Sequence, residues 1–361
     1  MDQLVALAER LIAYDTCQPE AIRKAAGFIK GWLEAREIEA SEDTARDRPV
    51  LMAEVGPEDA PVVVLHGHLD VVPGLEGQFD PRIEGDRLYG RGSYDMKGAL
   101  AAMLMVTAQM RDQERVRVRL GIVADEESEE EDDRGSDRLV DLGFIGDFAI
   151  TGEPTDLHIG VEAKGVLAVR LEVSGRAAHG ATPWLGDNAV LKALDVFRSI
   201  ESLPFARESS ELFDRPSINL GRIWGGDALN KVPDKCVIDV DIRYLPEQDP
   251  RMVLTQVSEL PDSRVLNTFS RPPATVDRDS VFVQTLREAT AGHHDHEPTS
   301  VGRDGASDAV SFLRAGVPAV EFGPVGGGHH GPEEWVSVAS LASYRQSLES
   351  FLMALPERLV G

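Results

Sequence analysis

At 361 residues the chain exceeds one ordinary domain, so two are expected, and a hydrophobic share of 42% supports a sizeable core. A formal net charge of -25 repels phosphate backbones and anionic headgroups, which excludes nucleic acid and membrane surfaces as expected partners. Two distant cysteines, Cys17 and Cys236, provide neither a disulfide framework nor a cysteine-zinc site.

The first residues, MDQLVALAERLIAYDT, place Asp2 where a signal peptide carries positive charge, and they read as an amphipathic helix over Gln3–Tyr14. No apolar run approaches the roughly 18 residues of a membrane span. The expected location is cytoplasmic. From there, a helix is expected over Glu20–Ala35, then strands at Val50–Val55 and Val62–His66 and a helix at Lys97–Arg111. Strands at Val116–Ala124 and Asp147–Thr151 follow. Near the end come helices at Val281–Ala291, Ala306–Ala315 and Val338–Ala354, with a strand at Val317–Phe322. Strands alternating with helices predict an α/β core.

The middle differs. Strand Val166–Ser174, helix Asp187–Leu203, strands Ser217–Trp224 and Lys235–Tyr244, helix Pro250–Leu260 and strand Arg264–Phe269 follow the β-α-β-β-α-β order of ferredoxin-like domains. Gly165 and Arg271-Pro272-Pro273 read as hinges. The expected organisation is a domain of residues 1–165 and 274–361 interrupted by an inserted domain of 166–273.

Five motifs carry candidate chemistry. In HGHLDVVP, His68 and Asp70 follow an apolar run, where a carboxylate commonly orients a ligating imidazole. In GRGSYDMKG, Asp95 precedes a helix, and in ADEESEE, Glu126 and Glu127 follow a strand. TGEPT supplies Glu153, and GGGHHGPEEW supplies His329 and His330. Each has an ordinary structural reading as well. His68 and Asp70 suit an exposed turn, Asp95 an N-cap, the acidic pair a solvated loop, Glu153 the surface, and the histidine pair a glycine-rich loop. The acidic run continues through Glu129–Asp133, whose tail reads as solvated surface.

Their common placement favours a site. His68, Glu126, Glu127, Glu153 and the histidine pair all fall at or beyond carboxyl ends of expected strands, where open α/β sheets bind ligands. Imidazole with carboxylate favours zinc, with cobalt or manganese as substitutes. Four or five carboxylates exceed the needs of one four-coordinate ion, and a carboxylate shared between two ions uses them economically.

In order and across nearly the whole chain, these motifs resemble the co-catalytic zinc hydrolases typified by acetylornithine deacetylase and succinyl-diaminopimelate desuccinylase, a family that includes aminoacylase-1, glutamate carboxypeptidase and several dipeptidases. The resemblance implies that His68 and Glu153 bind one metal ion and Glu127 and His330 the other, with Asp95 bridging. It prefers His330 over His329 because a glutamate, here Glu334, typically lies four residues beyond. It implies Glu126 as general base, Asp70 as orienter of His68 and a cis peptide at Asp95–Met96. It further implies that the inserted domain is a lid or dimerisation domain. There His179 in SGRAAHGATP resembles a histidine that reaches the active site, often from the partner subunit of a dimer. Asn230 in NKVP, Arg243 in DIRY, and Gly305 and Ser307 in GRDGASDA match substrate-contacting positions.

Taken structurally, His179 also suits a surface loop, and Arg243 also suits pairing with an acid on a sheet face. Two departures from the family pattern stand out: Tyr94 is bulkier than the usual small residue, and Glu129–Asp133 replaces a stretch often carrying glycine. The expected activity is hydrolysis of an amide bond in a small N-acyl amino acid. The alternative is a dipeptidase or carboxypeptidase using the same site. A silent binding protein is disfavoured because every ligand and the base are present.

Overall fold

The computed structural model of the chain describes residues 2–44, 48–128, 134–294 and 296–360. The acidic run Glu129–Asp133 lies outside the described residues. The chain forms two compact units. The first is Met1–Val161, Val276–Val301 and Asp308–Gly361, and the second is Glu162–Thr275 and Gly302–Ser307.

The first unit is organised by four neighbouring parallel strands, in the order Arg117–Val123, Val62–His68, Phe148–Thr151 and Ala319–Glu321. Val50–Val55 and then Ala40–Asp43 extend one side antiparallel. Ile159–Ala163 pairs antiparallel on the other side. The sheet is mixed, with its parallel part at the centre.

Strand side chains alternate between faces, so one strand must suit two helical layers. Along Val62–His68, a methyl at Gly67 would meet Met96 and Leu100, which places helix Gly98–Gln109 on that face. On the other face Val64 packs with Phe312 of helix Ala309–Arg314, and His66 meets the Phe312 ring edge-on. Helix Gly98–Gln109 is apolar almost all round and correspondingly buried, as a helix without a solvent face must be. It packs against Val338–Val360 and Asp2–Ile12.

The expected strands and helices of this unit are present with shifted ends. Val62–His68 runs two residues beyond the expected stop, and the last helix continues through Pro356 to Val360. Several elements had no clear sequence signal. Gly135–Asp141 is a short helix. Arg82–Glu84 and Arg87–Tyr89 form a hairpin joined by Trp335–Ser337, whose partners lie far away in sequence. Such short polar strands exist because of their pairing rather than their own pattern.

In the second unit, four antiparallel strands take the order Ser217–Gly225, Lys235–Tyr244, Gly165–Ser174 and Ser263–Arg271. With helices Ala189–Ile200 and Pro250–Ser258 in sequence, this is the ferredoxin-like arrangement. Alternate residues Leu167, Val169, Leu171 and Val173 face Ile238, Val240 and Ile242 in one apolar core. Tyr244 is buried over Gly165, where any side chain would collide with its ring. Among the described residues, no helix is long and apolar enough to cross a membrane.

Phe148, fully buried, stacks on Phe282 at 4.8 Å and tilts against Phe351 at 5.8 Å. Phe148→Ala is expected to destabilise the first unit by about 3–5 kcal/mol, read as an earlier urea midpoint in an unfolding titration.

Candidate metal centre

Parallel strands all present their carboxyl ends at one edge of a sheet, and the candidate ligands gather there. His68 is the last residue of Val62–His68, while Glu126 and Glu127 follow Arg117–Val123 and Glu153 follows Phe148–Thr151. His329 and His330 lie in the turn between the short strands Gly326–Gly327 and Trp335–Ser337. Asp95 comes from the irregular segment Ser93–Lys97, and the Asp95–Met96 peptide is cis. The cap position of the following helix falls on Lys97, with no side-chain cap bond, and the Asp95 carboxylate turns instead to the histidines.

The distances define the centre. Asp95 Oδ1 lies 2.9 Å from His68 Nε2, and Glu153 Oε1 lies 3.6 Å from the same nitrogen. The other oxygen of Asp95 lies 2.5 Å from His329 Nε2 and 3.3 Å from His330 Nε2. His330 Nε2 is also 2.8 Å from Glu127 Oε1. The two oxygens of one carboxylate therefore face two different histidine groups. His68, Asp70 and Asp95 are buried, Glu127 and Glu153 nearly so, and the paired histidines are half exposed.

Around this set a hydrogen-bond frame holds the loops. Asp70 differs from the expected picture. The near partner of His68 Nδ1 is the Asp70 main-chain oxygen at 3.0 Å, whereas the carboxylate stands 3.6 Å away. That carboxylate accepts from the backbone N–H of Glu126 at 3.3 Å and Glu127 at 2.9 Å. One residue thus sets both the histidine ring and the acidic loop. Glu334 does similar work opposite: it accepts from the N–H groups of Tyr94 and Asp95 and pairs with buried Arg91 at 2.6 Å. Arg91 in turn donates to the carbonyl of His330.

Electrostatics show what the frame leaves uncompensated. Burial, then the charges of Asp308, Glu127 and Asp95, push Glu126 up to about 8 against the pull of His68. Burial and the neighbouring Asp95 raise Glu153 well above the ordinary carboxyl value. Burial works against ionising Asp95 too, but contacts with His329, His330 and His68 hold it well below its usual range. Hydrogen bonds that the His330 ring donates to Asp95 and Glu127 raise it to about 10. Close carboxylates that resist ionisation together are the situation a cation relieves.

The donor set fits such a cation. Three groups of ligand atoms lie within 4.8 Å of one another: His68 with Asp95 and Glu153, Asp95 with His329 and His330, and His68 with Glu126 and Glu127. Ligands on a tetrahedral zinc at about 2.0–2.1 Å from the ion stand roughly 3.3 Å apart, inside the observed range of 2.5 Å to 3.6 Å. The residues present therefore suit divalent ions.

The remaining candidates belong to the second unit. His179 is exposed, its Nδ1 accepts from the N–H of Ala181, and its backbone bridges to Lys231. Asn230 is exposed beside it, its carbonyl accepting from Gly180. Arg243 pairs with Asp241 on the same face of its strand at 3.0 Å, the structural alternative the sequence left open. Gly305 is exposed and Ser307 buried.

One network escaped the sequence reading. His66, buried two residues before His68, lies 2.5 Å from Thr151 Oγ1 and 3.1 Å from Ser136 Oγ. Ser136 donates to Asp308 at 2.5 Å, and Asp308 is the charge that most raises Glu126. The first histidine of HGHLD and the second aspartate of GRDGASDA were the available signals, but nothing in their spacing linked them.

Residues 64–354 match the model of peptidase family M20/M25/M40. A succinyl-diaminopimelate desuccinylase of Erythrobacter litoralis is 29% identical over 370 residues, spanning 94% of this chain and 96% of that protein. Two solved structures share the fold. An M20 family metallo-carboxypeptidase from Sulfolobus solfataricus has a TM-score of 0.81 at 19% identity, covering 99% of this chain and 100% of that one. A tripeptidase from Staphylococcus aureus has a TM-score of 0.79 at 20% identity, covering 99% and 98%.

At pH 7, His330 with a pKa of about 10 and Glu126 with one of about 8 both hold protons in the metal-free chain. A histidine must be neutral to ligate. Metal uptake near neutral pH is therefore expected to release protons, fewer as pH rises toward these values. Calorimetric titration in two buffers of different ionisation heat measures the number, and uptake without proton release would contradict the assignment.

Proposed function

The chain belongs to peptidase family M20/M25/M40 and is a metal-dependent hydrolase of amide bonds, and from that premise we propose that it uses two zinc ions to deacylate a small N-acyl amino acid. The observation that carries the two-ion reading is the geometry of Asp95, one oxygen toward His68 and the other toward His330. On this reading His68 and Glu153 would hold one ion and Glu127 and His330 the other, with Asp95 shared between them. Cobalt or manganese would satisfy the same donors.

When bound, the ions supply Lewis acidity, bringing water from a pKa of about 15.7 toward 7 and polarising the scissile carbonyl. The chain's own residues do the rest. Glu126 takes the proton of the attacking water on its carboxylate and delivers it to the leaving nitrogen. Asp70 fixes the height of Glu126 through two backbone N–H groups while orienting His68. Glu334 does the same for Asp95.

In this proposal the second unit is the lid or dimerisation domain. His179 provides a donor to the oxyanion, Arg243 and Asn230 bind the substrate, and Gly305 and Ser307 line its path. Arg243 would have to exchange Asp241 for a substrate carboxylate, a geometry to which guanidinium is suited. The exposed apolar residues Trp184, Leu185 and Leu229 support a homodimer built through this unit. A second reading, cleavage of a dipeptide or a C-terminal residue at the same site, is favoured by the carboxypeptidase and tripeptidase among the structures of like fold.

Zinc-loaded protein is expected to release amine from N-succinyl or N-acetyl amino acids. Activity confined to dipeptides would favour the second reading, and inactivity on both classes would reject the proposal. Glu126→Gln is expected to lower kcat by about 10²–10⁴-fold with metal content unchanged. Undiminished turnover in that variant would remove Glu126 as the base.

A further inference from the structure

Tyr94 touches two of the loops that bring candidate ligands to Asp95, the one after Glu153 and the turn that carries His329 and His330. Its own segment carries Asp95, one residue on. Its backbone N–H donates to Glu334 at 3.0 Å, beyond the histidine pair. Its hydroxyl donates to Asp156 Oδ1 at 2.8 Å, three residues beyond Glu153. The same Asp156 oxygen accepts the N–H of Gly326 at 3.2 Å, at the start of the glycine turn leading to His329 and His330.

The ring adds a steric contact. It is 8% exposed and presses on the backbone of Gly326, where even a methyl would collide with the ring and with the Trp335 carbonyl. It also meets His329 edge-on, with centroids 6.1 Å apart at 83°. Asp156 holds a left-handed backbone at φ 56 to present its carboxylate. Thr155 and Leu157 bond to Gly323, so the Glu153 loop and the segment before the histidines are already joined beneath the tyrosine.

We propose that Tyr94 is a positioning residue that clamps the Glu153 loop and the His329–His330 turn onto Asp95 through its hydroxyl–Asp156 bond and its ring contact with Gly326, and so sets the affinity of the centre for metal. The inference rests on the metal-centre reading above. Its physical logic is that half-exposed histidines on a glycine-rich turn have no rigid element of their own, so ligand spacing must be imposed by a neighbour. Hydrogen-bonding partners behind ligands commonly tune metal affinity by 10–100-fold. The tyrosine acts here through loops rather than by touching an ion.

The test is metal affinity, measured by competition with a chromophoric chelator, in the parent and in four variants. Tyr94→Phe removes only the hydroxyl. Asp156→Gly removes the acceptor while tolerating the left-handed backbone, and Asp156→Asn keeps an acceptor. The double variant Tyr94→Phe/Asp156→Gly closes the cycle. Tyr94→Phe and Asp156→Gly are each expected to weaken at least one ion about tenfold, and Asp156→Asn to stay close to the parent. The double variant is expected to be no worse than Asp156→Gly, since that single already loses the Tyr94 hydroxyl bond along with the one from Gly326. The melting midpoint of metal-free Tyr94→Phe is expected to stay near that of the parent, separating positioning from general stability.

Parent-like affinity in Tyr94→Phe, or losses that multiply in the double variant, would overturn the inference. An affinity loss matched by an equal collapse of the metal-free melting midpoint would overturn it as well. A parent chain that takes up no metal would overturn the metal-centre reading and this inference with it. A parent that binds metal beside a Tyr94→Phe chain that binds equally well would overturn this inference alone.

Discussion

Asp95, Glu126, Glu127 and Glu153 bring four carboxylates to one strand-end crevice, with His68 buried among them. Like charges this close disfavour each other's ionisation, and burial strengthens the effect by removing water. The result appears in the titration directions: Glu126 and Glu153 are driven up while Asp95, surrounded by imidazoles, is driven down. A chain that holds such a cluster together needs a counter-charge, which a divalent cation where the loops converge would supply. Much else in the first unit serves to keep these groups from moving apart.

The holding devices share a pattern. Backbone N–H groups are aimed at second-layer carboxylates. Asp70 collects the N–H groups of Glu126 and Glu127, and Glu334 those of Tyr94 and Asp95. Two arginines add to this, Arg91 paired with Glu334 inside the protein and Arg48 at 3.8 Å from Asp70. Fixing loops by their backbone leaves the ligand oxygens free to face inward. Preorganisation of this kind avoids reorganising the site at the moment of reaction.

A second buried network runs from Thr151 through His66 and Ser136 to Asp308. Burial lowers the His66 imidazole to about 4, so it sits there neutral at ordinary pH, a hydrogen-bonding strut rather than a charge. It ties the strand carrying His68 to the strand that precedes Glu153 and to the residue whose charge acts on Glu126. The proposed base is thereby linked to the sheet's interior as well as to the ligand loops.

The α/β class, the strands Val50–Val55 and Val62–His68, and the order of elements in the second unit were legible because they follow from the period of apolar residues, which is local. The ligand residue types were equally legible, since imidazole and carboxylate announce their chemistry wherever they stand. Short strands such as Trp335–Ser337 were not, because pairing with Tyr89 creates them from a distance. The same limit applied to roles. Asp95 as a cap or as a contact of His68 could not be decided from spacing, and the cap position of the helix, two residues further on at Lys97, settled it against the cap. That Asp70 grips the acidic loop, that His66 reaches Asp308, and that Tyr94 meets Asp156 are facts of loops converging from segments tens to hundreds of residues apart. The sequence by itself determined which groups were available and at which strand ends they would emerge. Only the tertiary structure decided which of them face one another, because hydrogen bonds and charge interactions act over a few ångströms of space and carry no trace in local periodicity.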